Sequence, residues 1–283
     1  MRGATSRPAV RTKTISWLAA GAVVALLPGF SIHSGSTAGG ALTAVDRSPA
    51  GATDTFAGDL RHGRHSGSGG FAGWTSHNWS GYALGSAKTP KGTYAAITGT
   101  WKMPTVAKSS GSRYSSQWIG IDGATNGDLI QTGTFAQYVK GKASYGVWWE
   151  ILPSSGTTIH ERIEPGDTIS ASIVENKTTK LWTITISDGH WKFVKTAHYS
   201  GKGQSAEWIV EAPLIEGANS LLADTSVVTF GDLTVNGATP RLVASDAGRM
   251  RQGGKIIEMP SPPAASGKAF AMAYGAKPPP PPS

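Results

Sequence analysis

The chain has 283 residues, no cysteine and a formal net charge of +8. Without cysteine it has neither a disulfide scaffold nor a thiol nucleophile, so an exported form must hold its fold by core burial. Half of the excess charge lies in residues 1–70, where seven Lys/Arg face three Asp/Glu, and no basic run with interleaved aromatics marks a nucleic-acid surface, so nucleic acid is not an expected partner.

Residues 1–38 have the order of a secretory signal peptide. Arg2, Arg7, Arg11 and Lys13 precede an apolar run from Trp17 to Phe30, and Ser36-Thr37-Ala38 offers a small-residue cleavage site. The run has 14 residues and contains Pro28, short of the ~20 that a spanning helix needs. A secreted protein, with no stable membrane association after cleavage, is the expectation. Residues 39–70 are polar and glycine-rich, too poor in apolar side chains to fold alone. They form either a flexible linker or a propeptide, whose basic cluster Arg61-His62-Gly63-Arg64-His65 would rest on an acidic site.

Residues 71–275 hold nine of the ten tryptophans and are long enough for one sizeable core. Alternating apolar runs predict strands at Thr93–Trp101, Tyr145–Leu152, Thr168–Val174, Leu181–Ser187, Lys192–Tyr199, Glu207–Glu211 and Ser226–Val235. No 11-residue stretch has helical period, so the expectation is an all-β sandwich or barrel. Residues 276–283 close the chain in a Pro-rich, extended and disordered tail.

The chemistry is narrowed by what is missing. There is no Gly-x-Ser-x-Gly elbow, no His-Glu-x-x-His zinc helix, no Asp-Thr-Gly or Asp-Ser-Gly triplet and no phosphate-cradling glycine loop, and the seven histidines are scattered. Carboxylates and amides on strands beside tryptophans remain. Read as strands, Leu129, Gln131 and Gly133 share one face, as do Gly146, Trp148 and Glu150, and as do Glu207, Ile209 and Glu211. A polar residue in mid-strand among bulky apolar neighbours is either hydrogen-bonded in a core or solvated in a groove. For each acidic strand alone, a sandwich whose outer face carries exposed glutamates is the simpler reading. Asn78-Trp79-Ser80 and Asn176-Lys177-Thr178 match the glycosylation pattern, and both are read as chance, with Asn78 a turn or groove hydrogen-bonding residue.

Five segments occur in a telling order: Asn78-Trp79-Ser80-Gly81-Tyr82, Trp118-Ile119-Gly120-Ile121-Asp122-Gly123, Leu129-Ile130-Gln131-Thr132-Gly133, Trp148-Trp149-Glu150-Ile151-Leu152-Pro153 and Ala206-Glu207-Trp208-Ile209-Val210-Glu211. Together, over roughly residues 76–235, they resemble the glutamic peptidases, the eqolisin family. The resemblance implies an antiparallel β-sandwich of the concanavalin A-like lectin and glucanase type, with a Gln/Glu dyad on its concave sheet. It assigns the catalytic roles to Gln131 and Glu211, though strand alternation leaves Glu207 open, and it makes Trp79, Trp118, Asp122 and Glu150 substrate-cleft residues. It implies a monomeric, pepstatin-insensitive endopeptidase working at acidic pH on protein or peptide substrates, without metal or organic cofactor.

This chain departs from the fungal members in being neither acidic nor disulfide-linked, and its Trp-Trp-Glu-Ile-Leu-Pro strand lacks the aromatics usual there. Two other readings of the same sandwich stay open at this point. One is a glycoside hydrolase using Glu150 and Glu211, although the Glu-x-Asp-x-x-Glu cluster of such glucanases is missing. The other is a non-catalytic carbohydrate- or peptide-binding module with the tryptophans as stacking platforms.

Overall fold

A computed structural model describes residues 72–215 and 218–283. The expected signal peptide and propeptide lie outside the described residues. The strands in chain order are β1 (Trp74–Ser76), β2 (Trp79–Gly85), β3 (Ala96–Lys102), β4 (Arg113–Ile121), β5 (Ile130–Val139) and β6 (Lys142–Ile151). Then follow β7 (Thr157–Ile159), β8 (Thr168–Glu175), β9 (Leu181–Ser187), β10 (Lys192–His198), β11 (Ser205–Glu211), β12 (Leu214–Ile215) and β13 (Ala218–Asn219). The last are β14 (Val228–Val235), β15 (Ala247–Gln252), β16 (Lys255–Pro260) and β17 (Phe270–Tyr274), with, among the described residues, a single 3-10 turn at Ala244–Asp246. Residues 276–283 form no helix or strand.

The alternating runs fall on β3, β6, β8, β9, β10, β11 and β14, because a residue pair that points one side chain inward and the next outward repeats every two positions. Leu181–Ser187 is observed with the expected bounds. The strand expected from Thr93 starts later, at Ala96, because Thr93 and Tyr94 spend their N–H groups on Pro90 and Gly203 in a turn.

Hydrogen bonds run in the order β10-β9-β8-β3-β14-β17-β16-β15-β2-β11-β4-β5-β6-β7, every neighbouring pair on this path antiparallel, with β1 joining β15 in parallel. The ribbon folds over so that β3, β8 and β9 pack on β4 and β5, which makes the two layers of an antiparallel β-sandwich. Between the layers lie Ile97, Trp101, Ile119, Ile121, Ile130, Val147, Ile169, Ile173, Ile184, Ile186, Trp208 and Phe230, all buried. Each such aliphatic side chain adds about 1.5–3 kcal/mol relative to exposure. Two tryptophans also join the layers by hydrogen bonds. The Trp208 indole N–H donates to the Thr98 carbonyl at 2.8 Å, and that of Trp101 donates to Thr134 Oγ1 at 3.0 Å. Satisfying these buried donors keeps the large rings from leaving an unpaired polar group inside.

Because β4, β5, β6 and β11 send alternate side chains inward, their other side chains form a second, outer face. Its apolar members are Trp79, Trp118, Phe135, Trp148 and Ile209, with Trp74, Ala83, Ala124 and Leu129 around them. This face carries the candidate site.

Candidate active site

The register of β2, β11, β4, β5 and β6 arranges the outer face in rows. One row reads Ala83, Glu207, Gly120, Gln131, Glu150. The next reads Gly81, Ile209, Trp118, Gly133, Trp148, and the third Trp79, Glu211, Ser116, Phe135, Gly146. Glycines stand where an aromatic ring must lie flat. A Cβ on Gly146 would fall 2.3 Å from the Phe135 ring, and one on Gly133 would fall 2.5 Å from Trp118 Cβ and 2.2 Å from the Gln117 carbonyl oxygen. The large and small residues of this face therefore interlock across strands.

Glu211 closes β11 as its partly exposed residue, while Glu207 is fully buried. The Trp118 indole N–H donates to Glu211 Oε2 at 2.8 Å, and the Asn78 amide donates to Oε1 at 3.4 Å. Asn78 is itself fixed: Ser76 Oγ donates to its Oδ1 at 3.2 Å, and its carbonyl takes the N–H of Ala212. Trp79 packs edge-on against Trp118 at 4.7 Å between ring centroids. Burial pushes the Glu211 carboxyl up to about 7, against the hydrogen bonds of Trp79, Trp118 and Asn78, and the negative charge of Glu150 pushes the same way as burial.

Gln131 sits two rows from Glu211, with Trp118 between them. The Trp118 ring spans the gap, since its N–H edge holds Glu211 while its six-membered ring reaches the Gly120 position in the Gln131 row. Directly across the β5–β6 ladder, Gln131 Nε2 donates to Glu150 Oε2 at 2.6 Å. Burial pushes Glu150 up to about 7, against the hydrogen bonds from Gln131 and the Gly156 backbone.

Glu207 and Asp122 occupy the closed end of the face. Burial, together with the charge of Asp122, holds Glu207 well above the usual carboxylate range, against Ser205 and the backbone of Ala124. Asp122 is fully buried and accepts hydrogen bonds from Tyr199 Oη at 2.8 Å, the N–H of Gly203 at 2.7 Å, the N–H of Gln204 at 2.8 Å and Asn126 Nδ2 at 2.8 Å. It ties the 199–204 segment to the end of β4. Among the described residues, no group of three or more His, Cys, Asp or Glu side chains is disposed to hold a metal ion.

The structure thus brings Trp79, Trp118, Gln131, Glu150 and Glu211 onto one face and places Asp122 beneath its end. Asn78, read from the sequence as a turn or groove residue, reaches the Glu211 carboxyl. Its position beside Trp79 was the available signal, and its burial to 8% exposure fits the reading of its glycosylation pattern as chance.

The Peptidase A4 family model matches residues 77–259. The chain belongs to the Peptidase A4 family. The match spans all the strands that build the cleft, and it decides among the three readings in favour of a glutamic endopeptidase. A search of curated proteins finds no match. Among solved structures, scytalido-glutamic peptidase with a transition-state analogue inhibitor aligns at TM-score 0.59 and 20% identity, covering 71% of this chain and 99% of that one. SCP-B, an eqolisin-family peptidase in complex with the tripeptide Ala-Ile-His, aligns at TM-score 0.53 and 20% identity with the same coverage. At that identity the likeness speaks for the shared sandwich fold.

Proposed function

We propose that this chain is a secreted endopeptidase that hydrolyses protein substrates with Glu211 as general base and acid and Gln131 as the oxyanion donor. The observation that carries the reading is the hold of Trp118 and Asn78 on a partly exposed Glu211 carboxyl, on the same face as Gln131. A carboxylate so held has its lone pairs directed and its charge partly balanced, while burial raises its basicity.

In the proposed reaction, a water between the two residues gives a proton to Glu211 as its oxygen bonds to the scissile carbonyl carbon. The carbonyl oxygen becomes an oxyanion, which the NH₂ of Gln131 stabilises. Collapse breaks the C–N bond, and Glu211 returns its proton to the leaving amine. A preorganised donor of this kind is worth about 10²–10³ in rate. The tryptophans wall the cleft and hold an extended peptide against it. The base step needs Glu211 ionised, and the charge of Glu150 opposes this by raising Glu211, so the two carboxyls titrate as a pair that shares one proton. With both carboxyls pushed up to about 7, the state with Glu211 ionised and Glu150 neutral is most populated near neutrality, which supports a working range higher than the acidic one the resemblance implies.

The basic segment Arg61–Arg64 and the charge pattern of residues 1–38 support export as a precursor. The test is hydrolysis of a denatured protein across roughly pH 2–8 with pepstatin present, by the exported protein and by Gln131→Ala and Glu211→Ala. Cleavage lost in both variants supports the dyad. Cleavage that survives in Glu211→Ala and is lost in Glu207→Ala overturns the assignment of the base.

A further inference from the structure

The Gln131 side chain is held at one end only. Its Nε2 donates to Glu150 Oε2 at 2.6 Å, whereas its Oε1 is buried and has no hydrogen-bond partner among the described residues. The contact is built into the ladder, since Gln131 and Glu150 are direct cross-strand partners on β5 and β6. A residue meant only to bind peptide would not need its carboxyl turned along the sheet onto the oxyanion donor.

What a carboxyl offers an amide depends on its proton. Ionised, it has acceptors alone and can take Gln131 only by the NH₂ group. That is the observed arrangement, and it leaves the amide NH₂ committed to Glu150 and the amide oxygen buried without a partner among the described residues. Neutral, the carboxyl has one O–H donor. It can then receive Gln131 by its oxygen, with the amide turned through a half-rotation about its terminal bond, and the buried Oε1 gains the partner it lacks.

We propose that Glu150 is a positioning residue of the peptidase reaction: protonated, it donates to Gln131 Oε1 and turns the Gln131 NH₂ toward the substrate carbonyl, and on losing that proton it turns the NH₂ away. The proposal rests on the reading of Gln131 and Glu211 as the dyad. The step moves one proton between Glu150 and solvent and forms no covalent bond to substrate.

The surroundings favour the neutral form. The titratable side chains on the faces around Glu150 are Glu207 and Glu211 from β11, Asp122 at the end of β4 and Tyr114 at its far end, and Lys142 at the far end of β6 itself, while β5 and β7 add none on that face. Lys142 lies eight residues along the strand from Glu150, and no cation among the described residues holds the Glu150 charge by attraction. Burial pushes its carboxyl up to about 7. The charge of Glu150 also raises Glu211, so the two titrate as a pair, and the competent state is the singly protonated one with its proton on Glu150. Activity then rises as the pair loses its first proton and falls as it loses the second.

Glu150→Gln tests this directly, because its amide supplies a permanent donor to Gln131 Oε1 with no charge to lose. The expected result is kcat within about threefold of native at the optimum, an alkaline limb moved up by about one pH unit or more, and an acid limb moved down as Glu211 loses a charged neighbour. Glu150→Leu, which offers nothing to Gln131, should lower kcat about tenfold or more with KM little changed. A native alkaline limb in E150Q, or native kcat in E150L, overturns the proposal. The native protein provides a reading independent of how the variants fold. The side-chain ¹⁵N resonance of Gln131, assigned by its loss in Gln131→Ala, should move with pH along the alkaline limb, and a pH-invariant resonance overturns the proposal. Gln131→Ala and Glu211→Ala separate the two failures. If they still cleave, the dyad reading fails. If they are inactive while E150Q keeps the native limb, only the role of Glu150 fails.

Discussion

The indole N–H of Trp118 donates to Glu211 Oε2 at 2.8 Å, while the other end of the same ring reaches the row that holds Gln131. One side chain therefore holds the carboxyl of one member of the proposed dyad and reaches the row of the other. A hydrogen bond to an ionised group contributes roughly 1.5–3 kcal/mol. Trp118→Phe keeps most of the ring and removes the donor, so we expect kcat/KM to fall about 10–100-fold. The sign of the titration follows: the bond favours the ionised form, so its loss raises the Glu211 pKa and moves the acid limb of the pH profile upward. Steady-state kinetics across pH checks both.

Stability should fall as pH rises from mild acid. Burial raises Glu150 and Glu211 from 4.5 to about 7 and Glu258 to about 8, and it raises Glu207 in the same direction. A folded state that binds these protons more tightly than the unfolded chain is favoured fully below about 4.5. It loses that advantage as pH climbs through the folded values near 7–8. Melting temperature should accordingly decline over that window. Glu258→Gln should flatten the decline and stabilise the protein at about pH 8 by roughly a few kcal/mol, because Glu258 is buried and its Oε2 lacks a partner. Thermal melts in steps of pH measure this, and an unchanged slope in the variant would sink the account.

Asp122→Ala should destabilise the fold far more than an average surface change. Its carboxyl collects four hydrogen bonds, from Tyr199, Gly203, Gln204 and Asn126, at a fully buried site. The variant leaves those donors unpaired, and the expected loss is about 3–5 kcal/mol in urea unfolding. Proteolytic nicking should appear first in the 199–204 segment that Asp122 holds.

Gly133→Ala should damage the site without touching a polar group. The added Cβ would lie 2.2 Å from the Gln117 carbonyl oxygen and 2.5 Å from Trp118 Cβ, and a backbone oxygen on the neighbouring strand cannot step aside. Overpacking of this kind costs about 1–3 kcal/mol. Displacing Trp118 should also lower kcat, and near-UV circular dichroism should report the altered tryptophan environment. A variant with native spectrum and native kcat would show that the ladder gives way more easily than its geometry implies.

The sequence by itself determined the sandwich class and the strands of its seven alternating runs, because side-chain alternation is a local property that two-residue periodicity reveals. Alternation sorts side chains within one strand, and it was the family resemblance that put Trp118, Gln131, Glu150 and Glu211 on one surface. Alternation could not separate Glu207 from Glu211, since both point the same way. The tertiary structure separates them by what covers each: Glu207 lies under the Ala124 backbone in the turn after β4 beside Asp122, while Glu211 sits at the open end of β11. The pairing of Gln131 with Glu150 depends on the β5–β6 register, and the reach of Asn78 to Glu211 joins positions 133 residues apart. The burial of Asp122 likewise depends on a segment that returns to it from residues 199–204. Contacts of this range, and the desolvation that raises the carboxyl pKa values, arise only when distant strands close over one another, and no local pattern encodes them.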